Sequence, residues 1–302
     1  MPIKNKVLCF ESSLNAEEEM YGTATRADVW FLLEYRGHWS KSAYKDSKIP
    51  KKVKSHINRE LKSISNSRLQ VIKKQSNTDR YLKLYIAVAK EKNPRLYEIN
   101  FTDYKDLLDL NVKKMLKSDK NRTDTKLYII CTNGEYDVCC GKFGMPVYLD
   151  IAKGKHEAQT WESNHIGGHR FASTFVCFPH GLTFGRVREG KIAEKLMKQY
   201  ENGKVNLDNY RGRSCYDSAL QAAEYFVRKE SGIVDISELN LKSFKKSGEK
   251  FNAKFLSDSN KSIHKIKLGM DKKAVKVIKS CGDKSSYIPQ FRLLDYQKAN
   301  SK

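Results

Sequence analysis

Cys131, Cys139 and Cys140 fall within ten residues, in the stretch CTNGEYDVCCGKFG, and no two of them have the C-x-x-C spacing of a dithiol redox site or a zinc knuckle. Downstream, ESNHIGGHRF carries His165 and His169 as an H-x3-H pair, with 24 residues between Cys140 and His165. On a helical turn, side chains four apart point the same way, so both imidazoles would reach one metal. Gly167 and Gly168 weaken a helix there and allow an irregular turn with close backbone approach instead. Either geometry keeps the two rings together. Two thiolates from one segment and two imidazoles from the other make a Cys2His2 set. Tetrahedral zinc accepts such a set, and so does a 2Fe-2S cluster in which histidines replace cysteines on one iron.

The elements that must position these residues are legible in outline. ADVWFLLEY, RLQVIKK and LKLYIAVAK are short aromatic and β-branched runs with polar breaks, which predict strands, and HINRELKSI predicts a helix. Residues 1–122 therefore read as an N-terminal mixed α/β unit that ends in the charged link KSDKNRTDTK. TKLYIIC predicts a strand delivering Cys131 at its end. GMPVYLDIAK predicts a helix with Pro146 in its first turn, where the missing N–H costs little. AQTWES is a short strand leading into the histidine pair; TFVCF and LTFGRV flank PHG as a hairpin; REGKIAEKLMKQYENGK sets Ile192, Leu196 and Tyr200 on one helical face. The order β-α-β, turn, β-β-α is that of a thioredoxin-like domain, here over residues 123–235, including a further helix in SCYDSALQAAEYFVRKESG with Ser214 as its cap and Gly232 as its stop. FNAKFLSD, IHKIKLGM, AVKVIKS and PQFRLLDY alternate apolar with polar residues and predict a C-terminal β appendage over 236–302 with one wet face. No internal repeat is visible.

Composition narrows the class. The N-terminus MPIKNKVLCFESS lacks the apolar core of a signal peptide and no 18-residue apolar run occurs, so a cytoplasmic protein with no membrane partner is expected. Seven cysteines, an odd number spread over 302 residues, do not form a secreted disulfide framework; reduced thiols, some of them ligands, fit better. The net charge of +22 attracts acidic partners. Its lysines are scattered and do not form an arginine-rich tract with interleaved aromatics, so a solvated basic surface is favoured over a nucleic-acid groove. Cys177 reads as core, His180 as a solvated turn residue, and Cys9, Cys215 and Cys281 as structural thiols.

The pattern C-x8-C followed by H-x3-H, as CTNGEYDVCCGKFGMPV and ESNHIGGHRFASTFVCFPHGLTFGRV, resembles the sucrase/ferredoxin-like family of thioredoxin-like 2Fe-2S ferredoxins. YRGRSCYDSALQAAE, SCG near the C-terminus and GTATRADVWFLLEYRGHW extend the likeness. The resemblance implies an α/β fold, a thioredoxin-like ferredoxin domain with an N-terminal mixed α/β unit and a C-terminal β appendage. It also implies cluster ligation by Cys131, Cys140, His165 and His169, with Cys139 a neighbour, since choosing Cys139 leaves a seven-residue gap.

The function expected on that footing is one-electron transfer to a redox partner protein, itself acidic, with the protein an electron carrier more than a catalyst. Neutral imidazoles in place of thiolates raise a cluster's potential and link it to pH where a ring nitrogen takes up a proton. The alternative is a zinc-stabilised binding module, with nucleic acid such as RNA as its candidate partner, on the same four ligands. A glycosidase reading has no carboxylate pair in a recognisable context, and a thiol-disulfide enzyme lacks its C-x-x-C.

Overall fold

The computed structural model describes residues 7–75 and 79–300; Met1–Lys6, part of the N-terminal stretch read for a leader, lie outside the described residues. In chain order the elements begin with a short helix α1 (Cys9–Asn15), β1 (Val29–Glu34), α2 (Lys51–Lys62), β2 (Ser67–Lys73), β3 (Leu82–Val88), β4 (Arg95–Phe101), a one-turn α3 (Val112–Met115) and β5 (Arg122–Thr123). There follow β6 (Leu127–Cys131), α4 (Val138–Ile151), β7 (Thr160–Ser163), β8 (Phe175–Phe178), β9 (Leu182–Phe184), α5 (Gly190–Glu201), β10 (Tyr210–Arg213) and α6 (Ser218–Ser231). Four long strands close the chain: β11 (Leu239–Ser247), β12 (Lys250–Ser257), β13 (Ser262–Ile278) and β14 (Ser285–Asn300).

The fold is α/β with a separate antiparallel sheet at the C-terminus, as the sequence leads one to expect. The first ten strands form one sheet in the order β10-β9-β8-β6-β7-β2-β1-β3-β4-β5. Within it β6 pairs parallel with β7 and antiparallel with β8, which pairs antiparallel with β9. The element order β-α-β, turn, β-β-α is thus present from β6 to α5. The same strand arrangement occurs in β1 to β4, with β1 parallel to β2 and antiparallel to β3. The two sets meet where β2 pairs antiparallel with β7. No sequence repeat announces this likeness.

Every residue of β1 is buried because both sheet faces are covered, and its side chains alternate between two cores. Val29, Phe31 and Leu33 pack with Val53 and Ile57 of α2, while Trp30 and Leu32 join Ile129, Cys131 and Trp161 on the opposite face. Strand β6 alternates likewise: Tyr128 and Ile130 face α4 and α5, whereas Leu127, Ile129 and Cys131 face the other core. Full burial of each large apolar side chain contributes roughly 1.5–3 kcal/mol. Ile192, Leu196 and Tyr200 of α5 pack on this core as their spacing predicts.

Helix α6 links the two sheets. Its Leu220, Ala223, Phe226 and Val227 pack against Phe251, Phe255 and Leu268 of the second sheet, in the order β11-β12-β13-β14. Asp217, not Ser214, caps it by accepting from Leu220 N, and Gly232 ends it at φ 73°. The expected strands IHKIKLGM and AVKVIKS are one continuous strand, β13, with a register shift between Asp271 and Val275 that absorbs the polar break. The β13–β14 hairpin reaches back to α1, where Ile278 N donates to Ser12 Oγ at 2.9 Å. No helix among the described residues is long and apolar enough to cross a membrane.

Candidate metal centre

Strand β6 ends in the core, and the chain turns through Thr132–Asp137 into α4. That helix starts at Val138, ahead of the stretch GMPVYLDIAK expected to form it with Pro146 in the first turn, because Asp137 caps it: its carboxylate accepts from Cys139 N at 2.9 Å. The cysteine segment is therefore a helical first turn, and Pro146 lies inside the helix. Gly144 explains how α4 sits so close to β6. A Cβ there would lie 1.9 Å from the Cys131 carbonyl oxygen.

Cys131, Cys140 and His165 converge, with one ligand atom from each within 4.8 Å of the others. His165 Nδ1 stands 3.9 Å from Cys131 Sγ and 3.5 Å from Cys140 Sγ. Both cysteines are buried. The Cys140 thiol shares its proton with Cys131, which is held well below the ordinary thiol range by that bond and by His165, while Cys140 is pushed up by the same bond and by burial.

His169 stands apart from that group, its ring 5.0 Å from the His165 ring. Its Nε2 lies 2.6 Å from the Lys279 carbonyl. A carbonyl only accepts, so Nε2 carries the ring proton and Nδ1 has the lone pair. That Nδ1 is buried and has no hydrogen-bond partner among the described residues. Burial lowers the pKa of His169 and outweighs Asp137, whose Oδ2 is 3.8 Å away, so the ring is kept neutral. A buried imidazole nitrogen with a free lone pair is what a metal ligand requires.

The histidines sit on an irregular turn that ends in a 3-10 turn, His169–Phe171, and the glycines between them are required. Gly167 and Gly168 have φ of 124° and 75°, and a Cβ on Gly168 would meet Arg211 Nη2 at 2.3 Å. Arg211, wholly buried, donates to the Gly167 carbonyl at 2.9 Å; burial and the neighbouring Arg170 pull it down to about 9, which leaves it charged at neutral pH. From β2, Gln70 Nε2 donates to the carbonyls of Asn164 at 2.7 Å and His165 at 3.0 Å, and Arg68 donates to that of Ile166 at 3.1 Å. Tyr136 stacks flat on His165, 3.7 Å between centroids and 9° between planes.

Sequence reasoning missed these supporting residues. Asp137 alone carried a local signal, being a capping residue directly before a helix. Arg170 is bound by Glu18 at 2.7 Å. His180 is half-buried rather than a freely solvated turn residue: its Nδ1 lies 2.7 Å from Tyr200 Oη. Cys177 is in the core as expected. Cys9 and Cys281, expected to be structural thiols, meet Cys139.

A family model described as sucrase/ferredoxin-like matches residues 20–212, a segment that holds all four expected ligands. No curated protein and no solved structure matches the chain.

Proposed function

The chain belongs to the sucrase/ferredoxin-like family, and from that premise we propose that it is an electron-transfer protein carrying one 2Fe-2S cluster on Cys131, Cys140, His165 and His169. The observation that carries the reading is the orphaned, buried Nδ1 of His169, aimed away from its proton-bearing Nε2. The compact group of Cys131, Cys140 and His165 could hold a metal ion with three of its ligands. A 2Fe-2S cluster would take a fourth donor as well, and His169, its ring 5.0 Å from that of His165, would supply it.

When bound, such a cluster takes up and gives back one electron, at a potential raised above that of all-cysteine ferredoxins by its two neutral imidazoles. The protein's residues do the rest. Cys131 and Cys140 supply the sulfur side from the rigid end of β6 and the first turn of α4. Tyr136 fixes the plane of His165, and Lys279 fixes the tautomer of His169. Proton uptake linked to the potential belongs to the same proposal and falls to the histidines. The basic surface, +22 overall, draws an acidic redox protein into encounter, so reduction by such a partner slows as salt rises.

Anaerobically purified protein is expected to hold iron and acid-labile sulfide in equal amounts, to absorb in the visible, and to give an electron paramagnetic resonance signal on one-electron reduction. His169→Ala should lose that spectrum. Protein that holds zinc at these residues and no iron would give the zinc-stabilised module instead.

A further inference from the structure

Cys9, Cys139 and Cys281 come from α1, the first turn of α4 and the β13–β14 turn, and their sulfurs form a nearly equilateral triangle. The edges are 3.4 Å from Cys9 to Cys139, 3.4 Å from Cys139 to Cys281 and 3.5 Å from Cys281 to Cys9. Asp137 Oδ1 lies 3.6 Å from Cys9 Sγ, and the four ligand atoms all fall within 4.8 Å of one another. Cys9, Cys139 and Asp137 are buried. We propose that these four residues form a second, independent metal site for a single thiophilic divalent ion, zinc, held by three thiolates and closed by the Asp137 carboxylate.

Three alternatives are weaker. Cysteines that merely fill a core sit among apolar side chains, whereas this group includes a carboxylate whose side chain is 1% exposed. Thiols are poor hydrogen-bond partners for one another, so mutual contact does not explain why segments as far apart as Cys9 and Cys281 converge. A disulfide would use two sulfurs and leave the third without a role; none of the cysteines is disulfide-bonded. An ion about 2.3 Å from each sulfur would instead sit roughly 1 Å off their plane, on the side where a fourth ligand closes a tetrahedron. The backbone supports thiolate charge: Cys9 N donates to Cys281 Sγ at 3.5 Å. Thiolate-rich sites with one carboxylate suit zinc.

The site would clamp three remote segments beside the first centre. Cys281 N and Ser280 Oγ donate to Asp137 Oδ2 at 2.8 and 3.0 Å, and the preceding Lys279 carbonyl holds His169. Two of the three thiols, Cys9 and Cys281, lie outside the family-matched segment 20–212.

The test is metal analysis of the full chain grown with zinc supplied. About one zinc per chain is expected in the native protein and in Cys140→Ser, and zinc should be lost from Cys9→Ser and Cys281→Ser. To guard against variants that misfold, native protein titrated with a mercurial should release zinc to a chromogenic chelator, and cobalt(II) added to zinc-free protein should give thiolate-to-cobalt charge-transfer bands. Zinc that persists in Cys281→Ser but leaves Cys140→Ser overturns the proposal, as does native protein without zinc or with a disulfide among the three cysteines. The proposal is separate from the cluster reading: loss of iron with zinc retained would sink only the latter.

Discussion

Cys139 and Cys140 adjoin in the chain, yet Cys139 Sγ lies 3.4 Å from Cys9 Sγ while Cys140 Sγ lies 3.5 Å from His165 Nδ1. Successive residues on a helix are about 100° apart around its axis, so a first turn can send neighbouring sulfurs into different groups. Cys140→Ser is therefore expected to strip most of the iron and the visible absorbance, and Cys139→Ser to keep both. Iron assay and absorbance spectra of the two variants side by side decide it; equal loss in both would merge the two groups into one site.

Asp137 joins capping to ligand support. Burial pushes its carboxyl up, but the backbone N–H groups of Cys281 and Cys139 outweigh that and hold it below its ordinary value. Asp137→Asn keeps a capping oxygen but turns an amide NH2 toward either donor, loosening the turn that carries Lys279. Removing support of this kind typically weakens metal affinity 10- to 100-fold, so a competing chelator should take half of the iron at a concentration lower by a factor in that range. Asp137→Ala loses the cap as well, and metal-free protein should then be destabilised by about a further 1 kcal/mol in denaturant titrations.

The approach of α4 to β6 sets the spacing between Cys140 and Cys131, and Gly144 permits it. Since an added Cβ would fall 1.9 Å from the Cys131 carbonyl oxygen, helix or strand must move. Gly144→Ala should cost about 1–3 kcal/mol and lower iron occupancy. Gly154→Ala is the control, because its Cβ would make only ordinary contact at 3.6 Å with the Ile151 carbonyl. Thermal unfolding and iron content of the pair would separate a local steric effect from a general one.

Local signals made most of this fold legible. The continuous apolar run of β1, the alternation in β12 and the spacing of Ile192, Leu196 and Tyr200 each report which faces are covered, and each is written within a few residues. What escaped depends on distant partners. Strand β10, YRGR, has no apolar run to announce it, yet its Arg211 and Arg213 are buried, Arg213 Nη2 facing Glu224 at 3.4 Å and donating to the Ile236 carbonyl at 2.7 Å. The lysine-rich LNLKSFKKS of β11 has a largely wet surface that hides its pairing with β12. At the site, C-x8-C and H-x3-H marked Cys131, Cys140, His165 and His169. Nothing near Cys9 or Cys281 could show that two residues 272 apart in sequence meet at Cys139.

His180 gives a pH dependence that reports on the fold alone. Burial, with Arg213 and Lys126 nearby, lowers it from an ordinary 6.5 to about 3, so the folded protein keeps the ring neutral against Tyr200 while the unfolded chain protonates it. Between those two values the unfolded state binds more protons, and stability must fall as pH falls. The contribution is fully present above pH 6.5 and is lost progressively on acidification. From pH 7 to pH 5 the loss is at most about 2 kcal/mol, reduced by the partial exposure of the ring. His180→Asn cannot titrate there, so its stability should change less than that of the native chain across the same interval. Denaturant titrations of both proteins at the two pH values measure the difference. Identical slopes would mean that the ring protonates freely in the folded state, and that its bond to Tyr200 does not hold it neutral.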